Sequence, residues 1–144
     1  IRAGSTVKKN PSVKNTGISD VFVRARITVS PEQTEVMLLN GTWNGTAFSE
    51  NGKAVDGIAT ERTLYDPDSN GIGWYQGTDG WFYYNSPVAP GQNTENLFDA
   101  VKLGDVTKNF DITVYQEAVF AGSYGAGDQV ELPVLKGFFA EVTK

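Results

Sequence analysis

The sequence predicts an all-β fold, a jelly-roll-like antiparallel β-sandwich in which the 144 residues form a single domain. Apolar and polar residues alternate with a period of two in several segments, which is the pattern of half-buried strands. Asn-Gly pairs, 16 glycines and 6 prolines separate these segments, and such residues favour tight turns. Apolar residues at helical spacing do not persist along any segment.

The clearest predicted strand covers residues 20–29. Its odd-numbered residues are apolar and face one way, whereas Phe22, Arg24, Arg26 and Thr28 face the other. We therefore expect one buried and one solvated face. The other predicted strands cover residues 36–39, 42–47, 58–65, 72–75, 81–84, 97–103, 110–120 and 130–142.

Turns are predicted where asparagine precedes glycine, because glycine adopts a positive φ without steric cost. These pairs are Asn40-Gly41, Asn44-Gly45, Asn51-Gly52 and Asn70-Gly71. Residues 49–57 form the most polar interval, and we expect them to be a loop.

The composition excludes several classes of function. The sequence has no histidine and no cysteine, so imidazole-based hydrolases, thiol nucleophiles, thiolate metal sites and disulfides are excluded. A formal charge of −5 argues against nucleic acid or an anionic membrane as partner. No apolar run is long enough to cross a bilayer. The carboxylates are too scattered to nominate a catalytic pair, so we expect no enzymatic activity and no cofactor.

One segment carries oxygen ligands at alternate positions, as a calcium loop does. Asp66, Asp68 and Asn70 are followed by Gly71, but the twelfth position of the loop is Gly77 and not the glutamate of an EF-hand. The alternative is an Asx-type turn without metal, because Asp, Asn and Gly are all good turn residues.

Aromatic residues are dense between positions 74 and 84. Trp74, Trp81 and Tyr83 are candidates for an exposed platform that stacks on sugars. The alternative is aromatic packing across strands, which the alternation favours because no single face receives the whole set. An exposed platform would make the protein a monomeric cell-surface module that binds glycan or protein.

Three groups of motifs together resemble one family. They are Lys9-Asn-Pro-Ser-Val-Lys-Asn-Thr-Gly17 followed by residues 20–27, then residues 74–84 followed by Pro90-Gly-Gln-Asn-Thr94 and Leu97-Phe-Asp-Ala-Val101, and finally residues 111–119. In this order they resemble the TasA/camelysin family of biofilm matrix fibre proteins, in particular its BsaA-like type. The resemblance spans residues 4–121.

This resemblance implies a secreted structural subunit in the extracellular matrix or at the cell surface of a Gram-positive bacterium, exported with an atypical signal peptide. It implies a homopolymeric filament held by β-strand donation between neighbouring copies, with other matrix or cell-wall components as further partners. We expect additional arm residues before Ile1. The candidate donor residues are Ile1, Val7, Val130, Leu132 and Val134. The metallopeptidase activity associated with camelysin is not expected here, because the sequence has no histidine.

Overall fold

The computed structural model describes residues 5–30, 36–55, 62–104 and 109–142. These residues form nine strands and one helix. The elements are β1 (Thr6–Lys8), β2 (Val21–Ser30), β3 (Val36–Asn44), β4 (Ala47–Val55), β5 (Arg62–Tyr65), β6 (Trp74–Gln76), β7 (Phe82–Tyr84), β8 (Ala100–Leu103), β9 (Asp111–Phe120) and α1 (Leu132–Val142).

The strands form two antiparallel sheets, and the predicted all-β antiparallel sandwich is confirmed, whereas the jelly-roll type stays a prediction. The four-stranded sheet has the order β1-β8-β3-β4, and the five-stranded sheet has the order β5-β6-β7-β2-β9. Strands that are distant in sequence are therefore neighbours, such as β1 with β8 and β2 with β9. Within the described ranges, no helix is long and apolar enough to cross a membrane.

The residues group into two compact units, each assembled from three stretches of the sequence. The first unit comprises Ile1–Pro11, Ile27–Gly57 and Asn96–Val114, and the second comprises Ser12–Arg26, Ile58–Glu95 and Tyr115–Lys144. The four-stranded sheet lies within the first unit, and α1 lies within the second. The single-domain organisation stays a prediction.

The polar interval predicted to be a loop is a strand as far as it is described. β4 covers Ala47–Val55 and pairs with β3, and the Trp43 and Phe48 rings lie 5.0 Å apart across the pair. β4 is an edge strand, so its polar side chains can face water while its backbone pairs on one side. The strand predicted at residues 42–47 instead contains the turn, where Gly45 has a φ of 64°.

The predicted turn at Asn40-Gly41 is also wrong. Both residues lie inside β3, and the register shifts between Leu39 and Gly41, which is the signature of a β-bulge. A Cβ at Gly41 would lie 2.2 Å from the carbonyl oxygen of Ser49, so glycine is required by close backbone approach.

The strand predicted at residues 130–142 is wrong, because Leu132–Val142 is helical. Leu132, Leu135 and Phe139 follow one another at helical spacing and are 5%, 0% and 1% exposed. They belong to a core cluster with Phe22, Tyr83, Val119, Ala121 and Val130. The valines and phenylalanines of this segment favour strands in isolation, but burial of the apolar helical stripe overrides that preference.

The solvated face predicted for β2 is buried in its first half. Phe22 and Arg24 are 1% and 8% exposed, whereas Arg26 on the same side of the strand is less buried. Phe22 packs in the same cluster as the buried residues of α1. α1, which the alternation of residues did not predict, therefore covers the face of β2 that was predicted to be solvated.

Replacement of Gly137 by alanine should stabilise the protein. Gly137 is an exposed residue inside α1, and a Cβ there would meet nothing within 4 Å. We expect Gly137→Ala to raise the free energy of unfolding by about 1 kcal/mol in urea denaturation, because alanine has a much higher helix propensity than glycine. Gly73→Ala is the matched control in the same unit and should destabilise, since its Cβ would lie 1.7 Å from the Tyr65 carbonyl oxygen. A decrease for Gly137→Ala would contradict the helix.

Candidate functional site

The N-terminal strand β1 lies at the edge of the four-stranded sheet. It pairs with β8 in the register Thr6↔Lys102, Val7↔Val101 and Lys8↔Ala100, and the Leu103 N–H donates to the Ser5 carbonyl at 2.9 Å. Among its side chains, Val7 is half-buried whereas Thr6 and Lys8 are exposed. β1 is therefore held mainly by main-chain hydrogen bonds. Of the predicted donor residues, Val7 lies in this strand and Ile1 lies outside the described residues.

The segment that follows β1 runs antiparallel to residues 91–97. The Thr94 N–H donates to the Val13 carbonyl at 2.8 Å, and the Val13 N–H donates to the Thr94 hydroxyl at 2.9 Å. The backbones of Asn15 and residues 91–92 exchange two further hydrogen bonds, of 2.9 Å and 2.7 Å. Two of the motifs on which the resemblance rests, residues 9–17 and 90–94, are thus paired in space.

A buried asparagine anchors this segment where it leads into β2. Asn15 is 7% exposed, and its side-chain amide donates to the carbonyls of Ser19 and Val88, each at 2.8 Å. Its Oδ1 accepts from the Gly17 N–H at 2.9 Å. Sequence reasoning did not assign Asn15 a role, although Asn-Thr-Gly is a typical Asx-turn sequence. Ser5–Lys8 precede this anchor in the sequence and are joined to it through a connection that includes the exposed Lys9 and Asn10.

The charges of the N-terminal segment differ in sign from those of the remaining sequence. Residues 1–19 hold four of the 12 basic residues and none of the 17 acidic residues. The segment is therefore cationic, whereas the rest of the protein holds all the carboxylates and is anionic. Opposite charge on two parts of one protein favours contact between its copies.

Two of the three aromatic surface candidates are wrong. Trp74 and Tyr83 are 3% and 1% exposed, so neither can stack on a ligand from solvent. Trp74 packs on Tyr84 with ring centroids 5.0 Å apart, and its indole N–H donates to the Glu95 carbonyl. Trp81 is half-buried, and the Arg24 and Arg26 guanidinium carbons lie 4.1 Å and 4.4 Å from its ring centroid. The arrangement is the aromatic packing that the alternation favoured.

Arg24 is the centre of a polar network on this face of the sheet. Its Nε donates to Glu117 at 2.7 Å and one terminal nitrogen donates to the Tyr83 hydroxyl at 3.3 Å, which in turn donates to Asp79 at 2.6 Å. Burial lowers the pKa of Arg24, but the hydrogen bonds that Arg24 donates to Tyr83 and Glu117 outweigh it and raise the pKa above its ordinary value. The network therefore holds a permanent cation in place on this face of the sheet.

Residues 66–72 form a hydrogen-bonded turn. Asp66 accepts from the Ser69 N–H through its carbonyl at 3.0 Å and from the Gly71 N–H through Oδ2 at 3.2 Å. Asn70 Oδ1 accepts from the Ile72 N–H at 3.0 Å, and Asp68 is exposed. This is the Asx-type geometry that the sequence left open as the alternative to a calcium loop. Across the described ranges, no cluster of three or more acidic side chains could hold a metal ion.

Tyr83 should make the protein less stable at alkaline pH. Burial, followed by the hydrogen bond to Asp79, raises the pKa of Tyr83 from 10.0 to about 12. As the pH rises above 10, the unfolded state loses this proton before the folded state does, so the stability that is fully present below pH 10 is lost toward about pH 12. We expect Tyr83→Phe to flatten this decline in the free energy of unfolding, measured by urea denaturation across the alkaline range.

Tyr115→Phe is the control for this measurement, because Tyr115 is 58% exposed and its loss leaves the buried network intact. It should keep the slope of the unmodified protein. An equally steep decline in Tyr83→Phe would show that Tyr83 is not the group responsible.

No protein-family model, curated protein or solved structure matches this sequence.

Proposed function

We propose that this protein is a structural subunit of an extracellular biofilm matrix fibre, which polymerises when β1 of one copy pairs with β8 of the next. The position of β1 is the observation that carries the proposal. It is a short strand at the edge of a sheet, attached by a main-chain ladder and continuous with an exposed connection. The resemblance to TasA/camelysin motifs supports the same function.

The backbone edge of β8 that β1 covers is suited to strand addition. Ala100, Val101 and Leu103 of β8 are 0%, 4% and 3% exposed. Removal of β1 would leave backbone N–H and C=O groups unpaired along β8, and such an edge is a template for a strand from another molecule. An identical segment from a neighbour restores the same hydrogen bonds in the same register, which is β-strand addition.

Donation in one direction can be repeated from each copy to the next. The donor and acceptor surfaces of each copy are different, so the contact is heterologous, and repetition of such a contact produces a filament unless the rotation closes a ring. The cationic residues 1–19 and the anionic remainder of the protein add long-range attraction between copies. Because this attraction is screened by ions, assembly should be slower at high salt.

The C-terminal segment is a poor donor by comparison. Val130 and Leu132 are buried in the core cluster of their own molecule, and Val134 is 44% exposed on a helix. Donation of these residues would require α1 to unfold and would uncover Phe22 and Tyr83. Donation of β1 disturbs a single half-buried side chain, Val7. The N-terminal strand is therefore the donor in this proposal, and the protein acts in assembly without catalysis.

Disulfide trapping tests the proposed pairing of β1 with β8. Because the sequence has no cysteine, every disulfide must form between the two introduced residues or between copies of them. Because Ser5 and Leu103 are hydrogen-bonded, Thr6 and Lys102 form the adjacent non-hydrogen-bonded pair, in which side chains lie closest. Assembled copies that bear both Thr6→Cys and Lys102→Cys should give a ladder of covalent oligomers after mild oxidation, on denaturing electrophoresis without reductant. The control pair is Thr6→Cys with Tyr115→Cys. Tyr115 lies on β9, which does not pair with β1, so this pair should give no ladder.

Electron microscopy separates failure of the pairing from failure of the function. Fibres accompanied only by an intramolecular disulfide would show that another surface joins the copies. A strictly monomeric protein at high concentration, with or without residues 1–8, would overturn the fibre function and favour a monomeric binding module. We expect fibres from the unmodified protein and none after deletion of residues 1–8, with the β-sheet circular dichroism signal retained.

A further inference from the structure

Four Asn-Gly pairs in this protein can in principle modify themselves. In such a pair the glycine backbone nitrogen attacks the asparagine Cγ, so a new C–N bond forms, the bond between Cγ and the amide Nδ2 breaks, and ammonia leaves. Water then opens the resulting succinimide at either carbonyl and yields aspartate or isoaspartate. The reaction requires no cofactor, but it needs a glycine nitrogen that is free to attack and a backbone that can rotate.

In the pair Asn40-Gly41, hydrogen bonds hold both the asparagine amide and the glycine nitrogen. Asn40 is 1% exposed, and its amide donates to the Leu97 carbonyl at 3.1 Å. The attacking nitrogen, that of Gly41, donates to Asp99 Oδ2 at 2.9 Å. Ring closure would break both bonds and move a buried part of β3.

The pairs at residues 51–52 and 70–71 are restrained as well. Asn51-Gly52 lies inside β4, so rotation of its backbone would break that strand. The Gly71 nitrogen donates to Asp66 Oδ2 at 3.2 Å, and Asn70 Oδ1 accepts from the Ile72 N–H at 3.0 Å. In this third pair both reacting groups are engaged in the Asx-type turn.

Asn44-Gly45 differs from the other pairs because it lies where a strand ends in a hairpin turn. Asn44 is the exposed last residue of β3, and Gly45 is the first residue of the two-residue turn that leads to β4. The ladder bonds of such a turn belong to the flanking residues, here Asn44 and Ala47, so the Gly45 nitrogen is outside the ladder. Space around Gly45 is open, since a Cβ there would meet nothing within 4 Å.

From this comparison we infer that Asn44 is a site of spontaneous deamidation in the folded protein, at the tip of the β3–β4 hairpin. The product has a new carboxylate on a protein whose charge is already −5. Where isoaspartate forms, the backbone gains one atom at the turn, which changes the register between β3 and the edge strand β4. Deamidation at Asn44 does not depend on fibre formation.

Peptide mapping by mass spectrometry tests the site. The folded protein is incubated at neutral and at mildly alkaline pH, and replacement of the amide by a carboxyl is measured at each asparagine. We expect conversion at Asn44 to exceed that at Asn40 and Asn70 by at least about fivefold, the factor that corresponds to one hydrogen bond of typical net strength. Conversion should be faster at the higher pH, because deprotonation of the Gly45 nitrogen promotes attack.

Two controls assign the selectivity to the structure. In urea the four pairs should react at comparable rates, since all have the same dipeptide sequence. Asp66→Ala releases the Gly71 nitrogen and should raise conversion at Asn70 toward that at Asn44, whereas Asn44→Gln should remove the fast reaction. Equal rates in the folded protein, or faster reaction at Asn40 or Asn70, would overturn the inference.

Discussion

The second unit depends on covering one face of β2. That face presents Phe22, which is apolar, beside Arg24, which is charged, and both must leave water together. α1 covers the phenylalanine with Leu135 and Phe139, while the arginine is paired with Glu117, donates to the Tyr83 hydroxyl and lies 4.9 Å from the Phe139 ring. A buried cation is tolerated only when its hydrogen bonds are satisfied, so strand, helix and network must form together.

The first unit depends on pairing of backbone edges. β8 is an interior strand of the four-stranded sheet, so its backbone pairs on both sides, with β3 and with β1. β3 is a long strand in a hairpin, whereas β1 is three residues long and has one half-buried side chain. The weaker of the two neighbours is also the one near the start of the described residues, beyond the Asn15 anchor. These differences are the physical basis for proposing that β1 is exchanged between copies.

The alternation of residues 20–29 and 110–120 predicted β2 and β9 almost to the residue, because a period of two has no other common structural source. The alternation could not predict what covers each face of a strand. Phe22 and Arg24 lie on the side predicted to be solvated, and only the position of α1 shows that Phe22 is buried there. The strand prediction for residues 130–142 was wrong for a related reason. Their composition favours a strand, and they are helical because the helix buries its apolar side chains against the sheet. The edge position that lets residues 47–55 be polar is likewise not visible in a single segment.

For the candidate site, too, some features follow from the sequence alone and others only from the tertiary structure. By itself the sequence determined the all-β class, the two long strands, the exclusion of histidine and cysteine chemistry, and the excess of basic residues near the N-terminus, since these follow from local periodicity and from counting. Tertiary structure alone decided that Trp74 and Tyr83 are buried, that Asn15 anchors the N-terminal segment, and that β1 pairs with β8. Each of these three features depends on residues more than seventy positions apart or on a surface formed by another part of the protein. Burial and backbone pairing depend on that second surface as much as on the residue itself, so the local sequence does not determine them.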